Sequence, residues 1–143
     1  MIKILSDKHV NDIVLLSSSQ NFLDGWNSSQ LDSWFKNSCT LALGYEKEDN
    51  LVGYITLTLA FPTADLEDLL VSKEFRGQGV ATLLIKAAEN SLKDKGYEKI
   101  FLEVRENNFP ALKLYEKSGF KIISVRKKYY ADGENALVLV KEI

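Results

Sequence analysis

Residues 71–81 read VSKEFRGQGVA, and the rest of the chain is organised around this turn. An apolar strand over Leu66–Val71 runs into Arg-Gly-Gln-Gly, and the amphipathic pattern of a long helix begins at once. The first backbone N–H groups of a helix have no partner within it, and the helix dipole adds partial positive charge there. A glycine turn at this place therefore predicts an anion site, of the kind that holds the phosphate groups of a ligand.

Composition excludes several classes of protein. The chain has 143 residues, 45% hydrophobic and 27% charged, with a net charge of -2, which gives no electrostatic basis for nucleic-acid binding. With one cysteine, Cys39, and one histidine, His9, an internal disulfide is impossible and a zinc enzyme is not expected. The sequence has no signal-peptide pattern and no run long enough to cross a membrane. We expect a single cytoplasmic domain over residues 1–143, without a metal or a membrane partner.

The order of elements predicts an α+β protein. Alternating apolar residues and turn signals predict strands over residues 2–5, 40–45, 51–60, 64–71, 99–104, 121–125 and 136–140. Helical spacing and capping residues predict helices over residues 6–19, 28–35, 80–96 and 110–118. The unit around the glycine turn should be a right-handed parallel crossover, with antiparallel hairpins on both sides. The expected architecture is a mixed, mostly antiparallel sheet of about seven strands flanked by about four helices.

The helix after the turn and the strand beyond it carry the clearest burial patterns. Apolar residues at helical spacing predict a core-facing stripe of Val80, Leu83, Leu84, Ala87 and Ala88. Polar residues are predicted to lie outside it, namely Lys86, Glu89, Asn90 and Lys93. In the strand over residues 99–104, Glu103 lies on the face opposite Leu102 and Val104.

Residues 76–81 can be compared with three kinds of phosphate-binding turn. A Walker-type P-loop needs Lys followed by Ser or Thr after its glycines, and this chain lacks that pair. A dinucleotide-binding turn is disfavoured because Thr82 takes its third glycine position and Glu98 precedes its strand. The third pattern, [RQ]-x-x-G-x-[GA], fits at Arg76, Gly79 and Ala81. A tight structural turn without a ligand is the remaining alternative.

This third pattern resembles the acyl-CoA turn of the GNAT superfamily of N-acyltransferases. Residues 102–120, LEVRENNFPALKLYEKSGF, and residues 126–139, RKKYYADGENALVL, resemble the ribosomal-protein-alanine N-acetyltransferases of the RimI type. Residues 22–28, FLDGWNS, resemble the substrate loop of that family more weakly. The resemblance covers nearly the whole chain and implies the GNAT fold with acetyl-CoA as cosubstrate.

The resemblance also implies roles for individual residues. Glu103 corresponds to the general base and Tyr115 to the general acid. The residues implied to bind acetyl-CoA are Leu69, Leu70, Val71, Arg76, Gly77, Gln78, Gly79, Val80, Ala81, Thr82 and Asn108. The aromatic residues expected to line the acceptor groove are Trp26, Tyr129 and Tyr130.

Each of these residues also has a structural interpretation. Glu103 could form an ion pair with Arg105 on the same face of its strand. Tyr115, on the inward side of its helix, could be a core residue with a hydrogen-bonded hydroxyl. Asn108 could cap the helix that follows it. The tryptophan and the two tyrosines could be packing residues.

Three positions depart from the pattern of the family. Gly25 stands where the family usually has proline, Asp68 where it has asparagine, and Asn135 where an acidic residue is common. Gly25 and Asn135 flank the expected acceptor groove, so they leave the peptide specificity open.

The reaction implied is acetylation of the α-amine of a protein, at the N-terminal alanine of a small-subunit ribosomal protein. An α-amine with a pKa of about 7.7–8.0 is roughly a tenth neutral at pH 7, whereas a lysine with a pKa of about 10.4 is neutral to less than about 0.1%. A single carboxylate base therefore suits the α-amine better. The alternatives are an enzyme acting on lysine or on a small molecule such as a polyamine or an antibiotic, and a non-catalytic acyl-CoA-binding module. The oligomeric state stays open.

Overall fold

The computed structural model describes residues 1–20 and 25–143. Over these residues one sheet contains β1 (Ile2–Ile4), β2 (Thr40–Lys47), β3 (Asn50–Ala60), β4 (Thr63–Val71), β5 (Lys99–Arg105), β6 (Lys121–Arg126) and β7 (Ala136–Glu142). The α-helices of the same residues are α1 (Val10–Ser19), α2 (Ser28–Lys36), α3 (Val80–Asp94) and α4 (Phe109–Lys117). These elements confirm the expected α+β class and the predicted order of strands and helices.

Element limits differ from the prediction by a few residues at most places. The helix expected from residue 6 begins as a 3₁₀ turn over Asp7–His9, which Ser6 caps by accepting a hydrogen bond from the Lys8 N–H. Part of the expected substrate loop, residues 22–24, lies outside the described residues. No helix in the described part of the chain is both long and apolar enough to cross a membrane.

The sheet opens in its middle. Its strand order is β1-β2-β3-β4-β5-β7-β6, and every neighbouring pair is antiparallel except β4 and β5. The β4–β5 pairing is parallel, as predicted for the two strands of the crossover, and it runs from Thr63–Lys99 only as far as Leu66–Leu102. Beyond that point β4 stays paired with β3, and β5 with β7, so the two strands part and leave a wedge between them.

Two apolar cores cover the two faces of the sheet. The core beside α3 and α4 includes Leu57, Leu66, Leu84, Leu102 and Leu139. The core beside α1 and α2 includes Leu5, Ile13, Leu31, Tyr54 and Leu70. Because β4 supplies buried side chains to both cores, its position at the edge of the wedge is fixed from both faces.

Helix α3 buries a stripe that is rotated from the predicted one. Val80, Leu84 and Ala88 are buried as expected, but Leu83 is 50% exposed and Glu89 only 4% exposed. Both of those predictions were wrong. Lys141 Nζ on β7 donates a hydrogen bond to Glu89 at 2.7 Å, so a partner on a distant strand compensates the buried charge.

Candidate active site

A cleft of about 440 Å³ lies where β4 and β5 part. Its lining combines residues of both strands with residues of α4 and of the loop between β6 and β7. Several residues singled out from the sequence meet there, namely Trp26, Leu69, Glu103, Asn108, Tyr115, Tyr129 and Tyr130. The remaining predicted residues, namely Leu70, Val71 and residues 76–82, do not line this cleft.

A β-bulge in β4 changes which of its residues face the cleft where the wedge begins. Leu57 lies opposite Leu66 and Thr56 opposite Asp68, which leaves Glu67 as an extra residue on β4. The Asp68 N–H donates a hydrogen bond to Thr56 Oγ1 at 3.1 Å. The strict alternation of the strand is broken here, and Glu67 and Asp68 both line the cleft.

Glu103 lies on the cleft side of β5, as predicted. Leu102 and Val104 on either side of it are buried in the core. The Glu103 carboxylate accepts a hydrogen bond from Arg126 Nη1 at 2.8 Å, and the Glu103 side chain is 31% exposed. The suggested ion pair with Arg105 was therefore wrong, because the partner comes from a strand end far along the chain.

Arg105 is held by the loop between β6 and β7. Its Nη1 donates hydrogen bonds to Asp132 at 2.8 Å and to Glu134 at 2.9 Å. Its guanidinium also stacks 4.1 Å from the centre of the Tyr130 ring. These contacts fix the loop over the open end of the wedge.

Tyr129 packs in the same way on the side of the loop that faces Glu103. The Arg126 guanidinium lies 4.2 Å from the centre of its ring, and its ring meets that of Tyr130 edge to face at 5.2 Å. Burial, together with a hydrogen bond to the charged Glu103 carboxylate, raises the pKa of Tyr129. Glu103 is therefore contacted by a cation and by a phenol.

Tyr115 is buried, with 7% of its surface exposed, and it lines the cleft from α4. Its ring packs edge to face on Phe120 at 5.7 Å. Burial first, and then the charge of Asp68, raises the pKa of Tyr115 well above its usual value. The hydroxyl consequently keeps its proton throughout the physiological pH range and can act as a hydrogen-bond donor.

Two further carboxylates in the cleft were not singled out from the sequence. Asp65 and Glu67 both line it, and burial followed by neighbouring carboxylates raises the pKa of each. A hydrogen bond with Thr58 opposes the shift at Glu67. The sequence shows the acidic segment Asp65-Leu-Glu-Asp within this strand. It does not show the bulge that brings Glu67 and Asp68 to the same cleft.

The glycine turn presents backbone N–H groups. Gly77 and Gly79 have φ angles of +77° and +80°, in the left-handed region that glycine tolerates best. The first helical bond of α3 runs from the Leu83 N–H to the Gly79 oxygen at 3.0 Å, and no described residue accepts a hydrogen bond from the N–H groups of residues 77–82. The turn can therefore donate several hydrogen bonds to an anion.

The side chains of this turn fold back onto their own loop. Arg76 Nε donates to the Val71 carbonyl at 3.0 Å, and Gln78 Nε2 donates to the Glu74 carbonyl at 3.2 Å. A Cβ on Gly77 or Gly79 would meet no atom within 4 Å. The open space beside these glycines fits a ligand that approaches the backbone closely.

Asn108 caps α4, as its structural interpretation predicted. Its Oδ1 accepts a hydrogen bond from the Ala111 N–H at 3.3 Å. It also lines the cleft, so capping leaves it within reach of a bound molecule. Within residues 1–20 and 25–143, no group of His, Cys, Asp or Glu side chains is arranged to hold a metal ion.

Comparison with known proteins identifies the family. Residues 9–120 match the acetyltransferase (GNAT) family, and the chain belongs to it. It is 38% identical over 103 residues to the ribosomal protein bS18-alanine N-acetyltransferase of Haemophilus ducreyi, over 69% of this chain and 71% of that one. It is 37% identical over 109 residues to the N-alpha-acetyltransferase of Saccharolobus solfataricus, over 67% of this chain and 65% of that protein.

The fold is shared with a solved structure. The ribosomal-protein-S18-alanine N-acetyltransferase of Escherichia coli superposes with a TM-score of 0.91 at 22% identity, over 100% of this chain and 93% of that one. These comparisons confirm the family and the fold that the motifs of residues 76–81, 102–120 and 126–139 implied.

Proposed function

We propose that this protein transfers the acetyl group of acetyl-CoA to the α-amine of a protein N-terminus. The observation that carries the proposal is the wedge between β4 and β5, because it brings Glu103 and Tyr115 to one cleft. The relatives named for acetylation of N-terminal amines, and of the alanine of ribosomal protein bS18, support the same acceptor. In this proposal the chain acts as one catalytic domain in the cytoplasm, on the N-terminal alanine of a small-subunit ribosomal protein.

The glycine turn is proposed to hold the pyrophosphate of the cosubstrate. The unpaired N–H groups of residues 77–82 and the space beside Gly77 and Gly79 support this assignment. The edge of β4 that faces the wedge, over Leu69–Val71, is proposed to pair with the pantetheine arm, and its N–H groups to bind the thioester oxygen. Asn108 is proposed to contact the same molecule from the start of α4.

Glu103 is proposed to take a proton from the acceptor's ammonium group. An ammonium has no free electron pair, so deprotonation must precede attack on the thioester carbon. Arg126 Nη1 donates a hydrogen bond to the Glu103 carboxylate at 2.8 Å, so the incoming ammonium has to compete with this guanidinium. Trp26, Tyr129 and Tyr130 are proposed to hold the first residues of the acceptor along the cleft.

Tyr115 is proposed to assist the departing sulfur. The leaving thiolate of the coenzyme, whose conjugate thiol has a pKa of about 8.5, is a weaker base than the tyrosinate that Tyr115 would form, because burial raises the pKa of this hydroxyl. Tyr115 therefore donates a hydrogen bond to the sulfur as the carbon–sulfur bond breaks. The second proton of the amine, released from the tetrahedral intermediate, ends on the sulfur, so no free tyrosinate accumulates.

A second candidate acceptor is favoured by one observation. Asp65, Glu67 and Glu103 line one cleft, and a polyamine could satisfy these carboxylates. The discriminating experiment measures acetyl-CoA-dependent release of thiol with a panel of acceptors: a peptide that begins with alanine, the same peptide with a blocked N-terminus and an internal lysine, and spermidine.

The proposed function predicts turnover of the first peptide alone. Turnover of spermidine in preference to the peptide would replace the protein acceptor with a small molecule. Binding of acetyl-CoA without thiol release for any acceptor would indicate a non-catalytic module.

A further inference from the structure

We propose that Glu67 binds the ammonium group of the acceptor opposite Glu103, as a second carboxylate that selects a charged amine. The inference rests on the proposed function and adds a specificity-determining residue to it. In this arrangement Glu103 takes the proton, while Glu67 stays ionised and holds the nitrogen in place.

The register of the sheet places the two glutamates at equivalent positions. Asp65 pairs with Phe101 and Leu66 with Leu102, and the strands part immediately afterwards. Glu67 and Glu103 are therefore the first residues beyond the last pair, one on each side of the wedge. The bulge leaves Glu67 as the extra residue of β4, and its side chain lines the same cleft as that of Glu103.

Uncharged side chains form a hydrogen-bonded chain that ends at Glu67. Trp34 Nε1 donates a hydrogen bond to Thr58 Oγ1 at 2.9 Å, and Thr58 is in turn hydrogen-bonded to Glu67. The indole of Trp34 packs against Trp26, which lines the cleft, with ring centres 5.5 Å apart. This chain of contacts orients the carboxylate without neutralising its charge.

The cations at the wedge form ion pairs with carboxylates other than Glu67. Arg126 pairs with Glu103, and Arg105 pairs with Asp132 and Glu134. Among the described residues, none of the ion pairs includes Glu67. Burial, and then the charges of Asp65 and Glu103, raise the pKa of Glu67, while the hydrogen bond with Thr58 opposes this shift. A cation supplied by the acceptor would relieve this repulsion.

An ammonium has the right set of donors for this pair of carboxylates. It can donate one N–H to Glu67 and a second to Glu103, and its third N–H then points toward the thioester. When Glu103 accepts its proton, one N–H bond breaks and the electron pair stays on nitrogen. Rotation about the bond between the nitrogen and the α-carbon then turns this pair toward the thioester carbon. A hydroxyl or methyl group in place of the ammonium would leave Glu67 without a cation.

The first test separates binding from chemistry. Glu67→Gln is expected to raise the KM for an alanine-initiated peptide roughly tenfold or more, as for loss of a charge-assisted hydrogen bond, with kcat within about twofold of wild type. Glu67→Asp, which keeps the charge, should retain most of the affinity. Glu98→Gln, which changes an exposed carboxylate just before the start of β5, is the matched control and should change neither constant. The affinity for acetyl-CoA should be unchanged in all variants.

The second test removes the ammonium from the ligand. Wild type should bind the alanine-initiated peptide at least about tenfold more tightly than the same peptide with a propionyl group at that position, measured by calorimetry. In Glu67→Gln this preference should shrink to below about threefold. If the variant melts early, Thr58→Val removes the supporting hydroxyl instead and should raise the KM severalfold.

An unchanged KM and an unchanged preference for the ammonium, in a variant that melts like wild type, would overturn the role of Glu67. So would a fall in kcat at constant KM, because it would place Glu67 in the chemistry and not in binding. Failure of the proposed function is a different result, since wild type itself would then release no thiol with any peptide.

Discussion

Arg126 Nη1 donates a hydrogen bond to the Glu103 carboxylate at 2.8 Å, so the group proposed to accept the amine's proton already holds a cation. The two side chains are 52% and 31% exposed. An ion pair this accessible to water contributes about 0.2–1 kcal/mol, little enough for a substrate ammonium to replace it. Arg126 therefore marks the place where the acceptor nitrogen is expected to bind.

Replacing Arg126 tests this competition. Arg126→Met keeps an unbranched side chain beside Tyr129 but removes the charge, so the KM for the peptide acceptor should fall about two- to fivefold. Lys127→Met, which removes the exposed cation directly after Arg126 in the chain, is the matched control and should leave the KM unchanged. A higher KM in Arg126→Met, measured by steady-state kinetics at saturating acetyl-CoA, would mean that the guanidinium helps to bind the acceptor.

Glu103→Gln tests the proton acceptor. The amide can still accept a hydrogen bond from Arg126 but cannot take a proton at neutral pH, so kcat/KM should fall by about 10²-fold or more. The affinity for acetyl-CoA, followed by calorimetry, should change little because the proposed cradle is a separate element. Equal activity of the two proteins from about pH 6 to pH 9 would remove Glu103 from this role.

Tyr115→Phe tests the group beside the sulfur. We expect kcat to fall about tenfold or more, with the melting temperature nearly unchanged, because the ring keeps its packing on Phe120. Burial raises the pKa of this tyrosine, so its protonated form persists as the pH rises past the ordinary value of about 10. The wild-type rate should therefore show no loss from Tyr115 ionisation up to about pH 10. Early melting with a normal kcat would make the residue a core residue only.

Gly79→Ala tests the proposed pyrophosphate cradle. The added methyl group meets no protein atom within 4 Å, but it would occupy the space proposed for the pyrophosphate, so the Kd for acetyl-CoA should rise about tenfold or more. Gly96→Ala is the matched control, because Gly96 has a similar φ of +84° and its nearest contact is an ordinary 3.8 Å. Both variants should lose a similar amount of stability, about 1–2 kcal/mol, from the left-handed backbone. Equal affinity for acetyl-CoA in both variants would refute the cradle.

Local patterns were sufficient to predict the strands, the helices and the face of β5 on which Glu103 lies. Alternation along Ile100–Val104 depends on the geometry of one strand, and the cap at Asn108 depends on four consecutive residues. The motifs around residues 76–81, 102–120 and 126–139 then implied the family.

The errors concern contacts between residues far apart in the chain. Arg105 was suggested as a possible partner of Glu103 if that carboxylate is structural, but Arg126 at the end of β6 pairs with it instead. Glu89 was expected on the exposed face of α3, but it is buried and its charge is compensated by a hydrogen bond from Lys141. Glu67 was not singled out, because a bulge depends on how β3 and β4 align and leaves no signal in one strand alone.

The central claim is that the acceptor is the α-amine of a protein N-terminus. Its most direct test incubates the protein with acetyl-CoA and one peptide that begins with alanine and contains an internal lysine, and then locates the acetyl group by fragmentation mass spectrometry. The account predicts acetylation of the N-terminal alanine and an unmodified lysine, with loss of the product in Glu103→Gln. Acetylation of the lysine, or an unmodified peptide while spermidine is acetylated, would contradict it.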